Sequence, residues 1–213
     1  MSYSLFGSFS NTIGDLNKSV MNCKKCPYHM LKTNIDNRVN GSGSCDNGLM
    51  VIGQCPGPVE MEKGKPFIGT SGLLLKSIMK SSGILPSESR FTNIIRCLPP
   101  NGKNIIQKAI KQCSVWLEDE INLIKPKLIV CVGNIAGDVI LGTDNIATDG
   151  GKLRVSKYNY IDGILTYHTA HLLRIKNSDK EEFEDKMKIV EEHWKKIALL
   201  LKISQGDANE SNC

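Results

Sequence analysis

Four short apolar runs mark the chain, and the stretches between them have the spacing of helices. Leu49, Met50, Val51 and Ile52 run without polar alternation, as a strand covered on both faces does. Phe91–Ile95, Lys127–Gly133 and Ile164–Tyr167 read as three further strands, Lys127–Gly133 apolar throughout and therefore central. Helical spacing predicts a first helix over about residues 8–22, on Phe9, Ile13, Leu16 and Val20. Thr70 or Ser71 is placed to cap a second, through Leu73, Leu74, Ile78 and Met79, which ends at Gly83. A long helix follows through Ile106, Ala109, Ile110, Cys113, Trp116, Leu117 and Ile121, and Pro126 stops it. Asn134 is the expected cap of a short helix, Ile135–Leu141. The last helix opens on a capping box, Ser178 with Glu181, and carries one stripe of Phe183, Met187, Val190, Trp194, Ile197 and Leu201. Its charged flank places His193 at the surface.

Strands alternating with helices predict an α/β fold, a three-layer α/β/α sandwich around a four-stranded, mainly parallel sheet. Thr143–Asp162, polar and holding Gly150 and Gly151, is expected to be a loop with a hairpin-like excursion. A single domain is expected over residues 1–204, and the polar stretch 205–213 is expected to be a disordered tail.

Composition narrows the class. With 213 residues, 40% apolar and 23% charged, the chain is long enough for a full core and has the balance of a soluble protein. No apolar run approaches the roughly 18 residues of a membrane span, and the amino terminus lacks a basic, apolar leader. The expected location is intracellular, in the cytoplasm. A net charge of +5 is compatible with a polyanionic partner without requiring one. Eight cysteines in such a chain favour metal binding or buried thiols over disulfides.

The candidate chemistry lies in two places. Between the first strand and its helix, Gly53 opens a loop with Pro56, Gly57, Pro58, Gly64, Pro66 and Gly69. A rigid loop there is how an open α/β sheet makes a ligand site at its carboxyl edge. Cys23 and Cys26 form a CxxC pair at the end of the first helix, for which zinc, iron–sulfur and redox roles are all open. Cys113 falls on an apolar stripe and reads equally as a buried thiol. Cys131 belongs to a core strand, and Cys45 has no assigned role.

Taken together these stretches resemble the family-4, iron–sulfur uracil-DNA glycosylases, whose first motif runs roughly GEAPG, two variable residues, ED, two more, then GxPFVG. Here it reads Gly53-Gln-Cys-Pro-Gly57, Glu60-Met61 and Gly64-Lys-Pro-Phe-Ile-Gly69. The family's TN block with CxPP is matched by Thr92-Asn-Ile-Ile-Arg-Cys-Leu-Pro-Pro100, and its strand-end HP followed by LLR by His168-Thr-Ala-His-Leu-Leu-Arg174. The resemblance spans about residues 10–202.

It implies a base-excision enzyme that flips uracil, or a related altered base, out of DNA and hydrolyses its N-glycosidic bond. It implies a [4Fe–4S] cluster on Cys23, Cys26, Cys97 and Cys113. Phe67 would stack on the base and Asn93 would read its edge. Gly53, Cys55, Pro56 and Gly57 would line the base, backbone N–H groups of the Pro56-Gly57 loop adding donors. His168 would stabilise the leaving anion. DNA, single- or double-stranded, is the implied partner; no membrane contact and a monomeric state are expected.

Several positions depart from the pattern. Gln54 replaces the family's acidic residue, Cys55 a small apolar one, Met61 an aspartate and Thr169 a proline, with His171 added; Gly150-Gly151 stands where Arg-Gly is usual. An amide can position water but cannot take its proton. Three readings therefore follow: a uracil-DNA glycosylase, a silent relative that binds uracil-containing or modified DNA, and a four-cysteine protein of unrelated activity.

Overall fold

The computed structural model describes residues 10–30, 38–100 and 102–210. In chain order the elements are α1 (Ile13–Met21), β1 (Leu49–Gly53), α2 (Pro58–Lys63), α3 (Thr70–Ser81), β2 (Arg90–Asn93), α4 (Lys103–Ile124), β3 (Leu128–Val132), α5 (Asn134–Leu141), α6 (Ile146–Asp149), β4 (Leu153–Val155), β5 (Asp162–Thr166), α7 (Thr169–Ile175) and α8 (Lys180–Glu210). The sheet has the order β2-β1-β3-β5-β4. All neighbours run parallel except β4, which is antiparallel to β5.

The α/β sandwich is as expected, with one strand more than the four read from the sequence. The fifth is β4, inside the polar excursion. It is an edge strand with Leu153 and Val155 exposed, so it has no apolar run to announce it.

Strand alternation builds the two outer layers. Met50 and Ile52 face one side, with Leu16, Leu117, Ile121 and Ile140 from α1, α4 and α5. Leu49 and Val51 face the other, with Leu75, Ile78, Leu172, Val190 and Trp194 from α3, α7 and α8. Each such fully buried aliphatic side chain contributes about 1.5–3 kcal/mol over its exposed state. Three parallel crossovers bring the carboxyl ends of β1, β2, β3 and β5 to one edge, where Gly53 pairs with Asn93 and Val132 with Thr166.

Several local expectations are corrected. The caps of α3 and α5 are Gly69 and Gly133, not Thr70, Ser71 or Asn134, and neither cap uses a side chain. Leu73, placed on the inward stripe of α3, is exposed, while Gly72 and Leu75 turn inward. The rigid loop after β1 contains the short helix α2. Ser178 does not cap α8: its hydroxyl bonds back to the Ile175 carbonyl, and Asp179 Oδ1 takes the Glu182 N–H at 2.9 Å instead. Helix α8 runs to Glu210; Phe9 and residues 211–213 lie outside the described residues. His193 is buried, not superficial. Its Nδ1 lies 3.1 Å from Thr166 Oγ1, and its ring packs so tightly on Gly151 that a Cβ there would stand 2.4 Å from Cδ2. Among the described residues no helix is long and apolar enough to cross a membrane.

Candidate active site

At the carboxyl edge of the sheet the candidate residues fall into two adjoining groups. The first is a cleft of about 430 Å³ whose lining includes Gln54, Gly133, Tyr167, His168, His171 and Arg174. The second is a close-packed set of Gly53, Phe67 and Asn93. The peptide from Gly53 to Gln54 joins them.

Gly53 explains the second group. A Cβ at this position would lie 2.6 Å from Asn93 Oδ1 and 2.8 Å from Phe67 Cζ, so only glycine lets both side chains close over the strand end. Asn93 is the last residue of β2 and is buried. Phe67 is also buried, its ring 5.6 Å from that of Phe91 and tilted by 53°. Its backbone takes φ +54°, a left-handed conformation costly for a residue with a Cβ.

Glu60 holds that conformation. It stands on α2, is itself buried, and accepts three backbone N–H groups: Gly57 at 3.1 Å on one oxygen, Ile68 at 3.0 Å and Gly69 at 2.7 Å on the other. One carboxylate thus ties the start of α2 to the start of α3 with Phe67 in between. The Gly57 N–H is bonded to Glu60, and Pro56, buried beside it, has none, so the pair shapes the loop. Cys55 is half-buried, its thiol pushed up to about 11 by burial and by the Glu60 carboxylate, so it is a neutral wall residue.

His168 is set by its place in the chain. It follows β5 and caps α7, its Nδ1 accepting the Ala170 N–H at 3.1 Å. A neutral imidazole with an accepting Nδ1 carries its proton on Nε2, so the ring has a donor left. Burial, and then the Arg174 charge, lower its pKa from the ordinary 6.5 to about 4, with Glu60 opposing. The ring is neutral at pH 7. Gly133 makes room for it, since a Cβ there would be 3.2 Å from His168 Cβ. The rim carries Lys186, whose Nζ lies 3.3 Å from His171 Nε2, above the Tyr167 ring and paired with Glu182, and Arg174, whose charge also bears on His171.

The four cysteines assigned to a cluster come from three segments: Cys23 and Cys26 beyond α1, Cys97 beyond β2, and Cys113 on α4. They are electrostatic neighbours. Burial pushes the Cys97 thiol up to about 12, Arg38 opposes, and Cys113, Cys26 and Cys23 add to the rise. Cys113 is pushed up to about 11 by burial, with Arg96 opposing and Cys23 and Cys26 adding. Trp116 Nε1–H donates to Cys23 Sγ at 3.3 Å. Among the described residues no three His, Cys, Asp or Glu side chains already stand in metal-holding geometry. The donor chemistry fits an iron–sulfur cluster, four thiols with N–H donors around them. Cys131 is fully buried in β3, and Cys45 donates to the Leu49 carbonyl at 3.4 Å.

The sequence matches the uracil DNA glycosylase superfamily over residues 41–192. Its relatives include the type-4 uracil-DNA glycosylase of Archaeoglobus fulgidus, 30% identical over 188 residues that span 85% of this chain and 92% of that protein. The type-4 enzyme of Sulfurisphaera tokodaii is 32% identical over 195 residues, 88% of this chain and 84% of that one. That of Pyrobaculum aerophilum is 29% identical over 166 residues, 75% and 83%. This chain belongs to the uracil-DNA glycosylase superfamily.

For a member of the superfamily the departures noted above fall in telling places. Gln54, half-buried, lines the same cleft as His168. Met61 is buried in α2 and Thr169 donates its hydroxyl to the Ser71 carbonyl at 2.8 Å, linking α7 to α3; both do structural work. Glu60 is the residue that motif matching undervalued. A carboxylate three residues after Gly57 has the offset of a capping box, which is the local signal for its role.

Proposed function

We propose that this chain is a DNA glycosylase that hydrolyses the N-glycosidic bond of deoxyuridine, or of a related altered base, in DNA. The observation that carries the reading is His168: neutral, proton on Nε2, at a cleft beside the packed Gly53, Phe67 and Asn93. When the C1′–N1 bond breaks, its electron pair moves into the uracil ring and onto a carbonyl oxygen. A neutral donor fixed before the event stabilises that oxyanion without reorganisation. Asn93 has a donor and an acceptor for the base edge, and Phe67 an apolar face for its ring. Gln54 positions the water that adds to C1′, whose proton then goes to solvent. Arg174 and Lys186 supply positive charge for the phosphates. Every group of the proposed site lies on one chain.

Gln54 also favours a second reading, a protein that binds uracil-containing DNA without cleaving it. Single-turnover release of uracil from a short oligonucleotide separates the two. Under the first reading the parent releases base and Gln54→Glu is faster by about tenfold or more, because an anion beside the nascent cation stabilises it and orients water. Tight binding with no release from either protein establishes the second.

We further propose that Cys23, Cys26, Cys97 and Cys113 hold a [4Fe–4S] cluster. Its contribution when bound is a covalent tie between α1, the segment after β2 and α4, not a chemical step. Protein purified without oxygen should be brown. Cys97→Ser should lose the colour and the bound iron, whereas Cys45→Ser and Cys131→Ser should retain both; the opposite pattern removes the assignment.

A further inference from the structure

Behind the base-reading strand lies a buried ionic network that the mechanism does not use. Alternation along β2 sends Phe91 and Asn93 to one face and Arg90 and Thr92 to the other, toward α4. There Glu120 Oε1 accepts Arg90 Nε at 2.7 Å and meets its Nη2 at 2.6 Å. Oε2 accepts Thr92 Oγ1 at 2.7 Å and Arg96 Nη2 at 2.5 Å. Arg96 Nη1 donates to Thr92 Oγ1 as well, which closes the ring. Glu120, Thr92 and Arg96 are 1%, 0% and 2% exposed. Burial raises the Glu120 pKa, but Arg96 and Arg90 outweigh it and hold the carboxyl below its usual range. Gly41 seals the site, since a Cβ there would stand 1.9 Å from Oε1.

Two guanidinium groups and one carboxylate buried together are a poor way to gain stability, because an apolar set of the same volume commonly does as well or better. What such a network supplies is one fixed geometry. Its placement is specific: Thr92 and Arg96 bracket Asn93, the residue that faces the packed side of Gly53. The Arg96 N–H also bonds toward Cys113, so the same segment reaches the cysteine set.

We infer that the Glu120–Thr92–Arg96 network is a positioning device for Asn93 and so sets the preference for uracil over other bases. The inference rests on the proposed reading of Asn93 as the base-edge reader. Thr92 Oγ1 is held from two sides, which fixes its χ1 and with it the last peptide of β2. The backbone that carries Asn93 is thereby held where Asn93 Oδ1 stands beside Gly53, 2.6 Å from where a Cβ there would lie.

The test is a double-mutant cycle read as binding preference. The probes are two duplexes, one bearing 2′-fluoro-deoxyuridine, whose glycosidic bond resists cleavage, and one bearing 2′-fluoro-deoxycytidine at the same place. Thr92→Val keeps the shape and removes the hydroxyl. It should cut the uracil preference by about tenfold in the parent and by less than about twofold in an Asn93→Ala background. Thr92→Ser, which keeps the hydroxyl, should restore the preference. Glu120→Gln should follow Thr92→Val in direction. Equal losses of preference in the two backgrounds, an unchanged preference in Thr92→Val, or a parent without preference would each overturn the inference. Failure of the parent to release uracil would sink the glycosylase reading alone, because the cycle is read in binding.

Discussion

Replacing His168 by alanine should slow single-turnover uracil release by about 10²–10³-fold, the loss seen when one preorganised oxyanion donor is removed. Binding of the uracil-containing strand should change far less, because the donor meets charge that exists only as the bond breaks. The reason for the size of the effect is the cap. The Ala170 N–H holds Nδ1 as an acceptor, so the proton is on Nε2 before substrate arrives. His168→Gln leaves a donor on a flexible stem without that orientation and should recover only a small part of the rate. A parent rate retained by His168→Ala would place the site elsewhere.

The same geometry fixes the pH response. The folded-state pKa near 4 lies below the ordinary 6.5, so as pH falls the unfolded chain takes up the His168 proton first. The stabilisation from keeping the ring neutral is complete above about pH 6.5 and is lost progressively as pH falls through 4. Protonation would also put an N–H on Nδ1 against the Ala170 N–H and undo the cap of α7. Uracil release should therefore show no His168 titration between pH 6 and 8 and should fall on approach to pH 4.

How far the site could be read from the chain depended on how local each signal was. The β1, β3 and β5 runs, buried on both faces, were legible because apolar continuity is a local property; β4 was not, because an exposed edge strand of three residues leaves no such trace. His168 could be placed at a strand end from spacing alone, whereas Asn93, read in the middle of a strand over Phe91–Ile95, is the last residue of β2 because the strand stops two residues sooner. His168 is fixed locally, by the Ala170 N–H two residues on, but Thr92, which precedes Asn93, meets Glu120 on a helix beyond a loop, and Thr166 meets His193 across the chain. His193, between Glu192 and Trp194, has the look of a surface residue, and only the packing of α8 on the Gly150-Gly151 turn buries it. The Pro56-Gly57 loop had the composition of a ligand cradle, but its Gly57 donor is taken by a side chain three residues on. Composition announces a rigid loop without saying which groups remain free.

The second large effect should come from Glu60, which touches no reacting atom. Alanine there leaves the N–H groups of Gly57, Ile68 and Gly69 without their acceptor. A fully buried donor left unpaired costs about 1–3 kcal/mol; these three are part-buried and share one loop that can relax, so the total should be about 3 kcal/mol. Phe67 lies between the two tethered ends at φ +54°, and releasing the tether lets it relax toward ordinary backbone. Its ring then leaves the place beside Gly53 and Asn93, and a displacement of about 1 Å at a catalytic site can cost about 10²-fold in rate. Glu60→Ala should therefore lower the melting temperature and slow uracil release together. Glu60→Gln discriminates the cause. Its one carbonyl oxygen can still accept Ile68 and Gly69, but its amide N–H₂ must then face the Gly57 N–H, donor against donor. That variant should fall between parent and alanine in both melting and rate. A Glu60→Ala protein that melts and releases uracil like the parent would mean that the loop is held by its prolines alone, and that Phe67 owes its position to Phe91 and Gly72 rather than to the carboxylate beneath it.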